Sequence, residues 1–509
     1  MSRVHVAALA AVLGASSAFG VSARAARDAR AAGLAESLHA AVGRASGMVA
    51  RAAGVDVLSS EGLPLRSASS VGMSEERLAT VTRVVTRGIT AGGYPGAATV
   101  VGRKGAAVIK RGFGRLSWGT ESQAVDEHTV YDLASLTKVV GTTTAIMVLY
   151  DEGKIDLDAP VRQYLPAFTG GQKDRVTVRQ LLTHHSGLPP GRDLWRSARN
   201  PEEAREQVLA TPLVCRPGEC YEYSDLGADV LGFLVETVSG QRLDRFLDER
   251  VFRRLGMTDT FFLPPAAVRY RTAPTEVSPP RGYPLKGEVH DENAYALGGV
   301  AGHAGLFSTA ADLSIYAQML LNGGEYGGER IVADSTVRLF TERAVGTRGL
   351  GWDTCNNRGS CGSLMGASSY GHTGYTGTSL WIDPDRDLFV VLLTNRVHAA
   401  RAQRPAKVIA DVRADLADAA ELAVVDAPNG VRAMPASFRA DEANGWNRSA
   451  KTARGKTRGK HATARSSKSS SRSSKGSTAK KSPSKSATKS TAAKKPASSS
   501  GSASKARKK

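Results

Sequence analysis

Aromatic residues are scarce in this 509-residue chain, at 6%, and cysteine occurs only four times. No stretch approaches the ~18 consecutive apolar residues of a membrane-spanning helix, so no transmembrane segment is expected. No acidic residue falls in 451–509, and no aromatic one follows Trp446. A segment with so little to bury cannot build a core, so 448–509 is expected to be a disordered Lys, Arg, Ser and Ala-rich tail. The H-E-x-x-H zinc signature is absent, and the adjacent His184 and His185 would point to different sides, a poor geometry for one metal. Neither a metal nor a cofactor is implied.

The formal net charge of +20 suggests a nucleic-acid binder until it is located. Residues 451–509 hold 19 of the 68 lysines and arginines and none of the 48 acidic residues, which leaves 49 basic against 48 acidic side chains elsewhere. The excess charge belongs to the tail. Such a segment attracts polyanions by counterion release, without sequence specificity. An anionic polymer or a membrane surface is the expected partner, with a solvated tail that has no dedicated partner as the alternative. No specific nucleic-acid site is expected.

Near the start, Arg3 and His5 precede an apolar run from Val6 to Phe19, and Ala23-Arg24-Ala25 offers a small-x-small cut site. This pattern reads as a signal peptide over 1–25, and places the protein in the periplasm or outside the cell. The cysteines agree. Cys215 and Cys220 bracket one short loop and Cys355 and Cys361 another. Two local disulfides are the simplest of three pairings, with a zinc site built from the two close pairs as the rival.

Residues 26–70 read as an Ala, Gly, Ser and Arg-rich linker. Ser74 is a helix cap before a helix reaching about Thr90. Two strands follow, Ala97–Gly102 and Ala106–Lys110, around a tight Arg103-Lys104-Gly105 turn. Leu136–Asp151 is strongly apolar with helical spacing. Between 155 and 345 come helical segments broken by Pro and Gly: Val176–Leu182, Pro201–Ala210, Ala228–Val238 and Ala310–Leu321. Strands return at Thr378–Ile382 and Leu388–Thr394, and a helix runs from Pro405 to Leu422. Strands at both ends with helices between them predict an α+β fold of three layers, α/β/α. One antiparallel sheet would be flanked by helices and carry a large helical insertion. The domain is expected over 71–422, and 423–447 as a second linker.

Ser135-Leu136-Thr137-Lys138 has S-x-x-K spacing, which at a helix start lets a serine hydroxyl meet a lysine amine. A serine is a weak nucleophile and needs such a neighbour. The spacing alone proves little, because it recurs four times in the tail, at Ser477, Ser482, Ser486 and Ser502. Only the copy at Ser135 is followed by an apolar helix. Tyr223-Ser224-Asp225 lies beyond the first cysteine pair, and His372-Thr373-Gly374 enters a strand.

These elements, in this order, resemble the β-lactamase-related serine hydrolases, which include class C β-lactamases, penicillin-binding proteins and soluble DD-peptidases. The resemblance runs from about Ser74 to Leu422. It also covers Leu181-Leu182-Thr183-His184-His185-Ser186-Gly187-Leu188 and Gly302-His303-Ala304-Gly305-Leu306-Phe307-Ser308-Thr309. It implies that Ser135 attacks a carbonyl and forms an acyl-enzyme, with Lys138 and Tyr223 handling the proton. The backbone N–H groups of Ser135 and Tyr375 would form the oxyanion hole. Gly374 would let substrate approach, and His372 and Thr373 would orient a substrate carboxylate or polar tail. His184, His185 and His303 read as loop-bracing hydrogen bonders.

Two positions depart from the family pattern. His372 stands where lysine is common, and Asp225 where asparagine is common. An ionised Asp225 cannot donate to a substrate carbonyl, and could instead pair with Lys138 and raise its pKa. The resemblance therefore points to cleavage of cell-wall D-alanyl peptides, or of small esters and amides, more than to a β-lactamase. A non-catalytic penicillin-binding or cell-wall-sensing module is the alternative of a different class.

Overall fold

A computed structural model describes residues 60–279, 281–428, 430–442 and 446. The expected signal peptide, 1–25, and tail, 448–509, lie outside the described residues. Ser74 does cap helix α1 (Glu75–Thr90): its hydroxyl accepts from the Arg77 N–H, and Glu75 and Glu76 occupy the first turn, where the helix dipole favours them. Strands β1 (Gly96–Arg103) and β2 (Ala106–Gly114) are joined through Lys104 and Gly105, both at positive φ. That is the backbone of a two-residue hairpin turn.

Strands β3 (Tyr370–Thr373), β4 (Ser379–Asp383) and β5 (Leu388–Thr394) come from the far end of the domain. The sheet order is β2-β1-β5-β4-β3 with Asp353–Thr354 outside β3, and every pairing is antiparallel. Val391 of β5 lies between Val100 of β1 and Leu380 of β4. Distant segments thus close one sheet, as the sequence predicted.

Three long helices complete the frame: α2 (Asp225–Ser239), α3 (Ala310–Leu321) and α4 (Pro405–Ala423). β5 is apolar at nearly every position because both of its faces are covered. Phe389, Val391 and Leu393 join the core shared with α2, α3 and the helical insertion. Leu388, Val390 and Leu392 join the core under α1 and α4. Each such side chain contributes ~1.5–3 kcal/mol by leaving water.

Both expected linkers need correction at their inner ends. Residues 60–70 are part of the domain: Leu63 is fully buried and its N–H donates to Ser314 Oγ, while Arg66 N–H and Ala107 N–H bond to Ala107 O and Pro64 O. The segment covers the outer edge of β2, which would otherwise be left with unpaired backbone groups. In 423–447, Phe438, Ala440 and Trp446 are buried against α1 and α4. Arg439 bridges Asp415 and Asp418 of α4, and Trp446 Nε1 donates to Asp411 at 2.6 Å. Polar composition disguised both segments.

Candidate active site

The candidate nucleophile follows a backbone kink. Ala134 has φ +48, left-handed space that costs a non-glycine residue ~1–2 kcal/mol. The buried Asp132 carboxylate braces it: Oδ1 accepts from Ala134 N–H at 2.8 Å and Oδ2 from His290 N–H at 2.7 Å. Such bonds to a charged acceptor are strong enough to offset the strain. Leu133 N–H donates to Leu306 O, tying the kink to the insertion. The helix then starts at Leu136, one residue past Ser135, and widens into a π turn over Lys138–Thr143.

Lys138 is buried. Its Nζ donates to Ser135 Oγ at 3.1 Å and to His303 O at 3.1 Å, and pairs with Asp225 Oδ1 at 2.7 Å. The Tyr223 ring lies beside it, with Nζ 5.0 Å from the ring centre. Burial opposes the ammonium, but Asp225 and Tyr223 outweigh it and hold the lysine above its ordinary pKa. The structure therefore contains the Asp225–Lys138 pair that the sequence raised as a possibility.

Tyr223 follows the loop closed by the Cys215–Cys220 disulfide; Cys355–Cys361 is the second disulfide. The loop docks on the His184–His185 segment. Gly218 N–H donates to His185 O at 2.7 Å and Glu222 N–H to His184 O at 2.9 Å. Ser224 N–H donates to His184 Nδ1 at 3.1 Å, which places that ring's proton on Nε2. Burial holds His184 well below its ordinary pKa. Ser224 then caps α2 through the Gly227 N–H, which fixes Asp225 in the first helical turn. The Tyr223 ring lies 4.6 Å from His184 and 6.0 Å from His372.

His372 is buried on β3, and its Nδ1 donates to the Thr373 carbonyl at 2.9 Å. A carbonyl only accepts, so Nε2 carries a lone pair, and it has no partner among the described residues. Burial pushes the ring's pKa down to about 4, so it is neutral at pH 7. Nε2 is itself out of contact with solvent. Thr373 follows at the end of β3, half-buried.

The segment after β3 is sewn to the kink before Ser135. Thr376 Oγ1 donates to Asp132 O at 2.8 Å and Thr378 Oγ1 to Leu133 O at 2.9 Å. Among the described residues, neither the Ser135 nor the Tyr375 backbone N–H has a hydrogen-bond partner. Two free donors on segments bonded to each other are what an oxyanion hole requires. The Tyr375 side chain is exposed, stacked on His290 and under Arg396. At Gly374 a Cβ would strike the Leu133 carbonyl and the Thr378 hydroxyl. Its absence lets two protein segments meet. Gly374→Ala should therefore displace Tyr375 and lower kcat ~10²–10³-fold, the loss seen when one oxyanion donor is removed. Steady-state ester hydrolysis checks this, with KM reporting whether binding is spared.

Sequence reasoning missed three contributors. Asp132 gave no signal beyond its place before the S-x-x-K element. Arg413 on α4 is buried and donates to both Gly374 O and Thr378 O at 2.7 Å, clamping the segment after β3, and burial pushes its pKa down to about 9. Nothing in the local sequence separates it from other helix arginines. The third is a buried cluster beside Lys138, in which His303 Nδ1 meets Asp229 at 2.7 Å and Nε2 meets Asp291 at 2.9 Å. The sequence offered only His303, as a loop-bracing hydrogen bonder, and gave no sign of Asp229 or Asp291.

The sequence model of the Beta-lactamase family matches residues 81–414. A relative from Escherichia coli K12, provisionally named D-alanyl-D-alanine carboxypeptidase, is 33% identical over 371 residues, covering 65% of this chain and 85% of the relative. Among solved structures, a penicillin-binding-protein homologue from Caulobacter crescentus superimposes with TM-score 0.55 at 21% identity, over 69% of this chain and 98% of that one. EstCE1, titled a hydrolase with promiscuous acyltransferase activity, gives TM-score 0.55 at 21% identity, over 68% and 99%. These two likenesses support the fold. The family match spans well over half the chain and contains the kink, Lys138, Tyr223 and the segment after β3, so this chain belongs to the β-lactamase family.

Proposed function

We propose that the protein is a serine hydrolase that works through an acyl-enzyme on Ser135 and cleaves the terminal D-alanine from cell-wall peptides. The observation that carries this reading is the Lys138 Nζ contact with Ser135 Oγ at 3.1 Å beside two unpartnered backbone N–H groups. As an ammonium paired with Asp225, Lys138 donates to Ser135 Oγ and cannot take its proton. Tyr223, whose ring lies 5.0 Å from the same Nζ, enters the step as the phenolate and becomes the phenol by taking that proton as Oγ forms its bond to the substrate carbonyl carbon. The carbonyl oxygen becomes an oxyanion held by the Ser135 and Tyr375 N–H groups. Collapse expels the D-alanine amine, which takes the proton from Tyr223, and water then releases the acyl group by the reverse relay.

The names of relatives such as the one from Escherichia coli support peptide cleavage over β-lactam turnover. Asp225 adds to this, since it is committed to Lys138 and has no N–H for a penicillin side-chain carbonyl. Disulfides suit an oxidising compartment such as the periplasm, and a basic tail there would meet anionic polymers or lipid headgroups. The test is release of free D-alanine from a diacylated Lys-D-Ala-D-Ala peptide. Release by wild type and not by Ser135→Ala supports the reading. Ester turnover without D-alanine release would restrict it to small esters, and rapid opening of a chromogenic cephalosporin would favour the β-lactamase alternative.

A further inference from the structure

The ring of His303 has no place in the acyl-transfer steps, yet it lies at the base of the site. It is buried, as is the Asp229 side chain, and Asp229 Oδ1 and Asp291 Oδ1 meet its two nitrogens at 2.7 and 2.9 Å. Burial raises the pKa of Asp229 and the His303 charge opposes that rise; with both carboxyls ionised they can only accept, so both nitrogens donate and the ring carries both protons. Burial opposes that charge, but Asp229 and Asp291 outweigh it and hold the ring well above its ordinary pKa. An imidazolium so held is a rigid two-pronged clamp.

The clamp joins three elements. Asp229 projects from α2, one turn beyond Asp225. Asp291 caps the short helix Glu292–Ala296, its Oδ1 also accepting from Asn293 and Ala294 N–H at 2.9 Å each. His303 lies in the loop 302–306, which is bonded at three points to the helix that begins beside Ser135. Thr142 Oγ1 donates to Gly302 O at 2.6 Å, Leu306 N–H donates to Thr137 Oγ1 at 3.1 Å, and Lys138 Nζ donates to His303 O at 3.1 Å. Gly302 lies so close to α2 that a Cβ there would strike the Ala228 carbonyl. Side chain and carbonyl of one residue therefore face opposite duties: the ring anchors the loop to α2 and Asp291, and the carbonyl receives the lysine.

We propose that His303 is the positioning residue for Lys138, its ring clamped between Asp229 and Asp291 so that its carbonyl aims the lysine amine at Ser135 Oγ. The inference rests on the reading of Ser135 and Lys138 as the reacting pair, and goes beyond loop bracing by giving the histidine a defined effect on chemistry. Asp225 alone cannot aim the amine, because one ion pair leaves Nζ free to swing about the carboxylate. The His303 carbonyl supplies the second fixed direction, leaving the remaining N–H for Ser135. Misplacement of a reacting group by ~1 Å costs about 10²-fold in rate.

Two measurements test this. In wild type, ¹⁵N resonances of the labelled histidines should show one imidazole with both nitrogens protonated and unresponsive to pH from about 6 to 9; its absence from His303→Gln spectra assigns it. If His303 instead titrates near its ordinary value, the clamp does not exist and the proposal fails. Ester hydrolysis by His303→Gln should lose ~30–100-fold in kcat with KM within about twofold, since substrate contacts are untouched. Asp229→Asn, which keeps an acceptor for Nδ1–H, should recover most of that loss relative to His303→Gln. Equal kcat in wild type and His303→Gln would overturn the positioning role. Ser135→Ala assayed beside them separates the two claims: turnover near the wild-type rate there would count against the nucleophile, whatever His303 does.

Discussion

Replacing Ser135 by alanine should abolish hydrolysis of a chromogenic ester, with kcat/KM falling ~10⁴-fold or more toward what oxyanion donors and binding alone provide. The fold should survive. Ser135 Oγ accepts one hydrogen bond from Lys138, which keeps Asp225 and the His303 carbonyl as partners, and the kink is braced through Asp132 rather than through the serine. Circular dichroism and the thermal midpoint should match wild type. Loss of activity together with loss of structure would leave the assignment without support, and unchanged activity would contradict it.

The Lys138–Asp225 pair should respond asymmetrically to losing either partner. Lys138 is 4% exposed and Asp225 34%. Lys138→Met removes a buried charge, fills its space and leaves a carboxylate that water can reach. Activity should drop ~10³-fold or more while stability changes little. Asp225→Asn does the reverse and strands a buried ammonium. Breaking a buried pair from one side costs ~3–5 kcal/mol, and the partial exposure of Asp225 reduces that to ~1–3 kcal/mol. The thermal midpoint should fall, and the pKa of Lys138 should fall with it, because Asp225 is the stronger of the two groups that oppose burial and only Tyr223 remains.

The sign with pH follows. In the folded wild type Lys138 is held above its unfolded value of ~10.4, so the pair's stabilisation is complete below that pH and is lost as pH rises beyond it. In Asp225→Asn the stranded Lys138 loses its proton at a lower pH than in wild type, so the stability gap between the two should be largest near neutral pH and narrow as pH rises past ~10. Urea unfolding from about pH 6 to 11 measures it. A gap that did not narrow over that range would mean that Lys138 is not held as described.

Much of this site was legible because its parts are local in sequence. Ser135 and Lys138 are one helical turn apart, so spacing located them, and Tyr223 and Asp225 form one short motif whose place in the order of motifs marked it. The sheet was legible for a similar reason, since Leu388–Thr394 is apolar throughout and Ala97–Gly102 nearly so. What stayed hidden depends on contacts between distant segments. Arg413 reaches Gly374 and Thr378 from α4, and His303 meets Asp229 and Asp291 across three elements. Neither has a pattern of its own, because hydrogen bonds across tertiary space impose no periodicity on the chain. The protein neighbours of Gly374 were not legible, since a missing Cβ marks a close approach without saying by what. Polar stretches such as 60–70 and 430–442 hid single buried anchors, Leu63 and Phe438, that no average over a window reveals.

Intact-protein mass spectrometry after incubation with benzylpenicillin, and separately with a D-Ala-D-Ala peptide, tests the central claim most directly. The account predicts one added acyl group per molecule, mapped to the peptide containing Ser135 and absent from Ser135→Ala, with the peptide-derived adduct shorter-lived than the penicillin one. An adduct on any other residue, or turnover of the peptide with labelling that persists in Ser135→Ala, would contradict it.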